Sequence, residues 1–225
     1  MTSYILTKTL AMPNELYVIR HGQPVVKAGH LFPSKTAGLS ALGLTQAYAT
    51  GISMAEKGIQ PTVLLCSPLE RTRQTADEIE AGYRSVSGLS IPKVFVDCLQ
   101  EINIGSRPFV TDVLNVFPVL NKILRFLHIP LQHETIADVK TRIEKQLLSE
   151  LKNHAGTVVI IGHQVSNACI KSVLTDTPWK LFSTGLNHVG VHHLSYDSET
   201  QVWIAKKNPN GQDTFLKSTI SRTFL

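Results

Sequence analysis

Short apolar runs alternate along this chain with longer segments of helical periodicity, and that alternation restricts the possible folds more than any other feature. The four runs are rich in β-branched residues, as buried strands are, and they cover residues 16–20, 62–66, 93–96 and 157–161. Strands that alternate with helices build a mainly parallel sheet with helices on both faces. We therefore predict an α/β fold, organised as a three-layer αβα sandwich around a mainly parallel central sheet.

The first helical segment is predicted over residues 41–56. Ser40 is its expected N-cap, and Gly58 is its stop signal. Apolar side chains at helical spacing predict which face of this helix is buried. That face consists of Leu42, Tyr48 or Ala49, Ile52 and Ala55.

Three more helices are predicted after the later strands. The second helix should begin with Ser67 as N-cap and Pro68 as the first helical residue. The third covers residues 136–152, and the fourth follows His163.

A chain of 225 residues can bury one sizeable core, so we predict a single domain over residues 1–225. Two further strand patterns, 189–196 and 201–206, are expected to complete the sheet as a hairpin. The stretch from about 107 to 134 is too long for an ordinary loop. We interpret it as an inserted cap segment over one edge of the sheet, with a helix over residues 112–127.

Charge and composition exclude several classes of protein. The formal net charge is +5, but the basic residues are scattered, so we expect no nucleic-acid partner. The sequence has no apolar run long enough for a membrane span, and residues 1–14 lack the apolar centre of a signal peptide, so a cytoplasmic protein is expected. The three cysteines, Cys66, Cys98 and Cys169, lack metal-ligand spacing and are interpreted as buried free thiols.

Charged and titratable residues stand where the predicted strands end. Arg20 and His21 end the first strand, Arg71 lies in the first turn of the helix after the second, Glu101 lies in the exit loop of the third, and His163 follows the fourth. The carboxyl ends of parallel strands meet at one edge of a sheet, and ligands bind at that edge. We therefore expect these five side chains to converge.

Two arginines and two histidines in one crevice require a counter-charge, because burying them unpaired is costly. A dianionic phosphate fits that requirement. The helices that begin near Pro68 and Gln164 are expected to direct their positive N-termini at it.

The spacing of the residues excludes two routes to phosphate chemistry. A cysteine phosphatase needs an arginine where this chain has Thr72, counted from Cys66, and the sequence has no glycine-rich loop ending in Lys-Ser or Lys-Thr. Histidine remains as the nucleophile, so His21 would form a phosphohistidine that water hydrolyses. Glu101 is the available proton donor and could then activate the water.

Five motifs resemble those of the histidine phosphatase superfamily, the phosphoglycerate-mutase-like group, in order and spacing from residue 16 to residue 173. They are Arg20-His21-Gly22, the stretch 39–47, the stretch 67–76, Leu99-Gln100-Glu101 and Gly162-His163. The resemblance implies His21 as nucleophile, Glu101 as general acid and base, and Arg20, Arg71 and His163 as the phosphate pocket.

The chain departs from the mutase pattern of that group. Pro24, Val26 and Lys27 replace the mutase Ser, aromatic residue and Asn, and residues 102–107 replace the Arg-Tyr-Gly segment. These differences favour a phosphomonoesterase. The alternatives are a phosphoglycerate-type mutase and a weakly active phosphate-binding or phosphotransfer module.

The partner we expect is a small phosphorylated metabolite, whose identity the loops do not encode, and a homodimer is left open. Gln23 and Gln164 are further predicted substrate-binding residues, and His30 and Lys27 are weaker candidates. We expect no cofactor and no metal. His188, His192 and His193 are interpreted as strand residues, because they have no carboxylate at ligand spacing.

Overall fold

The computed structural model describes residues 12–26, 33–103, 134–178 and 187–206, together with Phe215. In these residues a six-stranded sheet has the order β3-β2-β4-β1-β5-β6. Strands β1 to β4 run parallel, whereas β5 is antiparallel to β1 and β6 to β5. The strands are β1 Glu15–Arg20, β2 Pro61–Cys66, β3 Lys93–Phe95, β4 Thr157–Gly162, β5 Val191–Asp197 and β6 Val202–Ala205. The predicted mainly parallel sheet and the terminal hairpin are confirmed.

The helices follow the strands in the predicted order. They are α1 Ala41–Glu56, α2 Glu70–Ser87, α3 Ile136–Arg142, α4 Leu148–Leu151 and α5 Gln164–Leu174, with a short 3₁₀ turn at Asp97–Leu99. A π-helical turn, Ile143–Leu147, joins α3 to α4. The single helix predicted over residues 136–152 is therefore continuous from residue 136 to residue 151, with a π-helical turn in its middle.

Alternation of side chains along the strands separates the core into two clusters. In β4, Val158 and Ile160 belong to the first cluster, which also contains Val139 and Cys169 of the α3 and α5 side. Val159 and Ile161 belong to the second cluster, with residues of α1 and α2 such as Met54 and Ile79. Helices therefore cover both faces of the sheet, and the three-layer arrangement is confirmed.

The predicted inward face of α1 is only partly correct: Ala55 packs against the second core cluster, but the fully buried positions differ from the predicted ones. Tyr48 is 37% exposed, and the buried residues are Gly43, Gln46, Ala47, Thr50, Gly51 and Met54. A Cβ atom at Gly51 would lie 2.0 Å from the carbonyl oxygen of Ile79, and one at Gly82 would lie 2.1 Å from that of Tyr48. The two helices thus touch backbone to backbone at glycines, so close approach, rather than side-chain hydrophobicity, decides which face is buried.

Most of the predicted cap segment, including its helix over residues 112–127, lies outside the described residues. The chain returns close to where it left, because the backbone N–H of Glu134 donates to the carbonyl of Asn103 at 2.8 Å. Cys66, Cys98 and Cys169 are buried and free, as predicted. Across the described part of the chain, we find no helix with the length and apolar character that crossing a membrane requires.

Candidate active site

The turn after β1 is held tightly against the two helices on that face. The backbone N–H of Gly22 donates to Thr75 Oγ1 of α2 at 3.1 Å. A Cβ atom at Gly22 would lie 2.5 Å from the carbonyl oxygen of Gly43 in α1. Glycine is therefore required here, and the turn places His21 at the carboxyl edge of the sheet.

The hydrogen bond of the His21 ring determines which nitrogen can react. Nδ1 lies 2.7 Å from the carbonyl oxygen of Gly22. A carbonyl oxygen only accepts hydrogen bonds, so Nδ1 carries the proton and the neutral ring keeps its lone pair on Nε2. Burial, reinforced by the charges of Arg71 and Arg20, holds the pKa of His21 well below its usual range. The site therefore presents a neutral imidazole with Nε2 as its nucleophilic atom.

His163 lies beside His21, with ring centroids 5.1 Å apart. Its Nδ1 accepts a hydrogen bond from Nε of Arg71 at 3.2 Å, since a guanidinium has no acceptor atom. Its Nε2 lies 2.9 Å from Ser67 Oγ and donates to it. Burial, with His21 and the nearby arginines, keeps the pKa of His163 well below its usual range. In this arrangement His163 is neutral and orients Arg71.

Ser67 does not cap α2, contrary to the prediction. The helix begins at Glu70, and its cap, Leu69, has no side-chain capping bond. The hydroxyl of Ser67 binds His163 instead. Ser67, three residues before the start of the helix, therefore contributes to the site and not to the helix cap.

Arg71, in the first turn of α2, is 5% exposed. Besides His163, it donates from Nη1 to the carbonyl of Ser34 at 3.3 Å. Burial lowers the pKa of Arg71, and Glu101 opposes that shift. Arg20 shows the same pattern, with Arg71 as a further lowering charge. Both guanidiniums remain charged, because their ordinary pKa is so high.

The carboxylate of Glu101 occupies the N-terminus of α5. Oε1 accepts from the backbone N–H of Ile102 at 3.0 Å and from that of Ser166 at 3.2 Å. Oε2 accepts from Val165 at 3.3 Å. The expectation that this helix directs its first N–H groups at phosphate is therefore wrong, since the chain's own carboxylate occupies them. Burial raises the pKa of Glu101 even so, which favours a carboxyl group able to hold a proton.

The structure thus brings together Arg20, His21, Arg71, Glu101 and His163, and it places the two predicted glutamines differently. The side-chain oxygen of Gln23 accepts from Ser40 Oγ at 2.7 Å, so it supports the start of α1. Gln164 is the first residue of α5 and is half-buried. Substrate contacts by either glutamine stay a prediction, and Lys27 and His30 lie outside the described residues.

The interpretation of His188 as a strand residue is wrong, because it lies in the turn before β5. Sequence reasoning also missed its place at the site, where its ring centroid lies 5.9 Å from that of His21. It precedes β5, which is antiparallel to β1, so the beginning of β5 reaches the site edge. The direction of the hairpin was the signal that could have found it. Burial, and then the charge of Arg20, lowers the pKa of His188 to about 4. The next residue, Val189, has φ +53°, a strained backbone for a β-branched residue.

His192 and His193 are residues of β5, as predicted, but His193 has a carboxylate partner. His193 Nε2 contacts Glu15 of β1 and stacks on Tyr17 with centroids 4.3 Å apart. Spacing along the chain did not show this pair, because strand pairing creates it. Among the residues that the structure describes, no group of three or more His, Cys, Asp or Glu side chains is arranged to hold a metal ion.

Comparison with known proteins gives a family match and several similar folds. The model of the histidine phosphatase superfamily (branch 1) matches residues 16–209. YhfR of Bacillus stearothermophilus is similar with a TM-score of 0.68 and 20% identity, over 89% of this chain and 98% of its own. The α-ribazole phosphatase of Shigella flexneri has a TM-score of 0.65 and 19% identity, over 89% of this chain and 96% of its own. No curated protein sequence matches the chain significantly.

A third similar structure is the mycobacterial glucosyl-3-phosphoglycerate phosphatase, with a TM-score of 0.60 and 22% identity, over 86% of this chain and 97% of its own. At such identities the likeness concerns the fold. The family model, by contrast, matches most of the chain and includes the five convergent residues of the site. This chain therefore belongs to the histidine phosphatase superfamily, branch 1.

Proposed function

We propose that this protein is a metal-independent phosphomonoesterase that hydrolyses a small phosphorylated metabolite through a phosphohistidine on His21. The observation that carries the proposal is the bond from His21 Nδ1 to the carbonyl of Gly22 at 2.7 Å. It leaves Nε2 unprotonated in a pocket that contains two guanidiniums, and this suits attack on an anionic phosphorus centre.

In the first step Nε2 of His21 attacks phosphorus, the bond from phosphorus to the ester oxygen breaks, and Glu101 gives its proton to the leaving alkoxide. In the second step water attacks the phosphohistidine, Glu101 takes a proton from that water, and inorganic phosphate leaves as the bond to Nε2 breaks. Arg20 and Arg71 stabilise the charge on the equatorial oxygens, which is the largest contribution expected in such a site. His163 holds Arg71 in the pocket wall.

Two observations favour hydrolysis over mutase chemistry. The residues after His21 and after Glu101 lack the mutase pattern. Similar structures bear the names of phosphatases that act on α-ribazole phosphate and glucosyl-3-phosphoglycerate, so we propose a phosphorylated small molecule as the substrate class. We place the reaction in the cytoplasm and propose neither a nucleic-acid nor a membrane partner.

A screen of phosphorylated metabolites, with release of inorganic phosphate as the readout, tests the proposal. Wild type should hydrolyse 4-nitrophenyl phosphate with EDTA present, whereas His21→Ala should not. His154→Ala is a matched control: this histidine pairs with Glu150 of α4 at 2.9 Å and precedes β4, at the opposite end of that strand from His163. Loss of wild-type activity with the chelator would contradict the metal-independent mechanism.

Labelled phosphate separates the alternatives. In a hydrolase, label trapped on His21 passes to water within the turnover time. A mutase would pass it to a second position of a phosphorylated sugar acid, and a phosphotransfer module would retain it. Either of these two outcomes would overturn the assignment as a phosphomonoesterase.

A further inference from the structure

The side chain of Arg142, at the end of α3, binds the backbone of the loop that carries Glu101. Its Nη1 donates to the carbonyl of Cys98, and its Nη2 donates to the carbonyl of Gln100 at 2.7 Å. The side chain is 16% exposed, so these bonds are partly shielded from water. One guanidinium thus holds the residue directly before Glu101.

Glu134 extends these hydrogen bonds to Asn103, on the other side of Glu101. Arg142 Nε donates to Glu134 Oε1 at 3.0 Å, and Nη2 donates to Oε2 at 3.3 Å. The same Oε2 accepts from the backbone N–H of Asn103 at 3.0 Å, and the N–H of Glu134 donates to the carbonyl of Asn103 at 2.8 Å. The ion pair therefore fixes residues 98 to 103 as one unit.

Fixing this loop matters because Glu101 must meet two geometric demands at once. Its carboxylate stays within reach of the N–H groups of Val165 and Ser166, and its proton must reach the leaving oxygen. A displacement of about 1 Å at a reacting group can cost about 100-fold in rate. The planar guanidinium of Arg142 reaches four acceptor atoms on three residues in fixed directions, which a lysine cannot do.

We propose that Arg142 is a positioning residue for the general acid, acting through Glu134 and the backbone of residues 98–103. This inference rests on the proposed function of Glu101 as proton donor. The Nε, Nη1 and Nη2 atoms of Arg142 all donate to protein acceptors, so its proposed effect is on Glu101 and not on the substrate. Arg142 keeps the Glu101 carboxyl at the distance at which proton transfer to the leaving group is efficient.

Leaving-group dependence tests this role, because general acid help matters most when the leaving group is poor. Rates would be measured for Arg142→Gln and Arg142→Lys on substituted phenyl phosphates, from 4-nitrophenyl phosphate to unsubstituted phenyl phosphate. For Arg142→Gln, we expect kcat to fall roughly 10- to 100-fold on phenyl phosphate and less than about threefold on 4-nitrophenyl phosphate, with KM nearly unchanged. Arg142→Lys should lie between the glutamine variant and wild type.

The control is Arg84→Gln, which removes an exposed arginine paired with Glu80 at 3.3 Å in α2. It should leave the dependence on the leaving group unchanged. Thermal unfolding of each variant separates lost positioning from lost fold. If the glutamine variant does not fold, Arg142→Lys, which retains the charge, decides the question on its own.

The double variant Glu101→Gln/Arg142→Gln shows whether Arg142 acts through Glu101. If it does, the arginine change should have little further effect once the carboxyl is gone. Equal slowing of all substrates by the single arginine variants, or an undiminished effect in the Glu101→Gln background, would overturn the inference. If Glu101→Gln slows substrates with good and poor leaving groups equally, the proposed role of Glu101 as general acid is wrong instead.

Discussion

His21 and His163 follow parallel neighbouring strands, β1 and β4, and both rings are buried at the same sheet edge. Their Nδ1 atoms nevertheless have opposite roles. In His21, Nδ1 donates to the carbonyl of Gly22, whereas in His163 it accepts from Arg71. The second nitrogen is consequently an unprotonated nucleophile in His21 and a hydrogen-bond donor to Ser67 in His163.

This difference shows how one local pattern gives two chemical roles. A strand that ends in a histidine delivers a ring to the site, but the partner of that ring decides which nitrogen holds the proton. The carbonyl that binds His21 belongs to the adjacent residue, Gly22. The guanidinium that binds His163 belongs to Arg71 of α2, which follows β2. The proton position on His163 therefore depends on the tertiary fold.

The largest expected difference between the two histidines concerns the covalent intermediate. His163→Ala should lower kcat roughly 10²-fold, because Arg71 loses the ring that orients it, while label still accumulates on the protein. His21→Ala should show no labelled protein at all. Rapid quench with labelled substrate, on variants whose folding is checked by circular dichroism, measures both. Label on the His21 variant would contradict the assignment of the nucleophile.

The glycines beside the two histidines provide the next test. A Cβ atom at Gly22 would lie 2.5 Å from the Gly43 carbonyl, which is rigid helix backbone, and one at Gly162 would lie 2.3 Å from Oδ1 of the Asn167 side chain. Gly22→Ala should therefore cost about 1–3 kcal/mol of unfolding free energy, and Gly162→Ala about 1 kcal/mol or less, because a side chain can turn away. Urea unfolding compares the two, and the reverse order would show that the turn after β1 is not the tighter one.

Ser67 sharpens the comparison because its hydroxyl binds only one of the two rings in the described structure. Ser67→Ala leaves the buried Nε2–H of His163 without that acceptor, which should cost about 1–3 kcal/mol of unfolding free energy. Phosphorylation of His21 should slow modestly, through the orientation of Arg71. The control is Ser172→Ala, which removes a hydroxyl of α5 that donates to the carbonyl of Thr177 at 2.6 Å. An unchanged stability would mean that the bond from His163 to Ser67 contributes little.

The last test concerns the pH dependence of stability that both rings share. The pKa values of His21 and His163 lie well below the usual range, and that of His188 is about 4. Below about pH 6.5 the unfolded chain binds protons that the native state does not, so stability falls with falling pH, by at most about 1.4 kcal/mol per pH unit for each histidine. Urea unfolding between pH 5 and pH 7.5 measures the slope, which His188→Ala should reduce. A stability that stays constant over this range would contradict the burial of neutral rings.

Much of the fold and most of the site could be predicted from local patterns. The β-branched runs and the helical periodicity depend on each segment's own side chains, so the strand order along the chain and the two covered faces followed from them. The five convergent residues followed because each stands at the end of a parallel strand or in the segment that leaves it. The predictions that differ from the structure concern α1, Ser67 and His188. In each case the contact partner comes from a distant part of the chain.

By itself, the sequence determined that strands alternate with helices and that Arg20, His21, Arg71, Glu101 and His163 meet at one edge, because side-chain period and parallel pairing are local rules. Only the tertiary structure decided that α1 buries glycines, that Ser67 hydrogen-bonds to His163 and does not cap α2, and that the Glu101 carboxylate binds the N-terminus of α5. The physical reason is that hydrogen-bond partners and close backbone contacts are properties of pairs of segments, and one segment's pattern does not contain its partner.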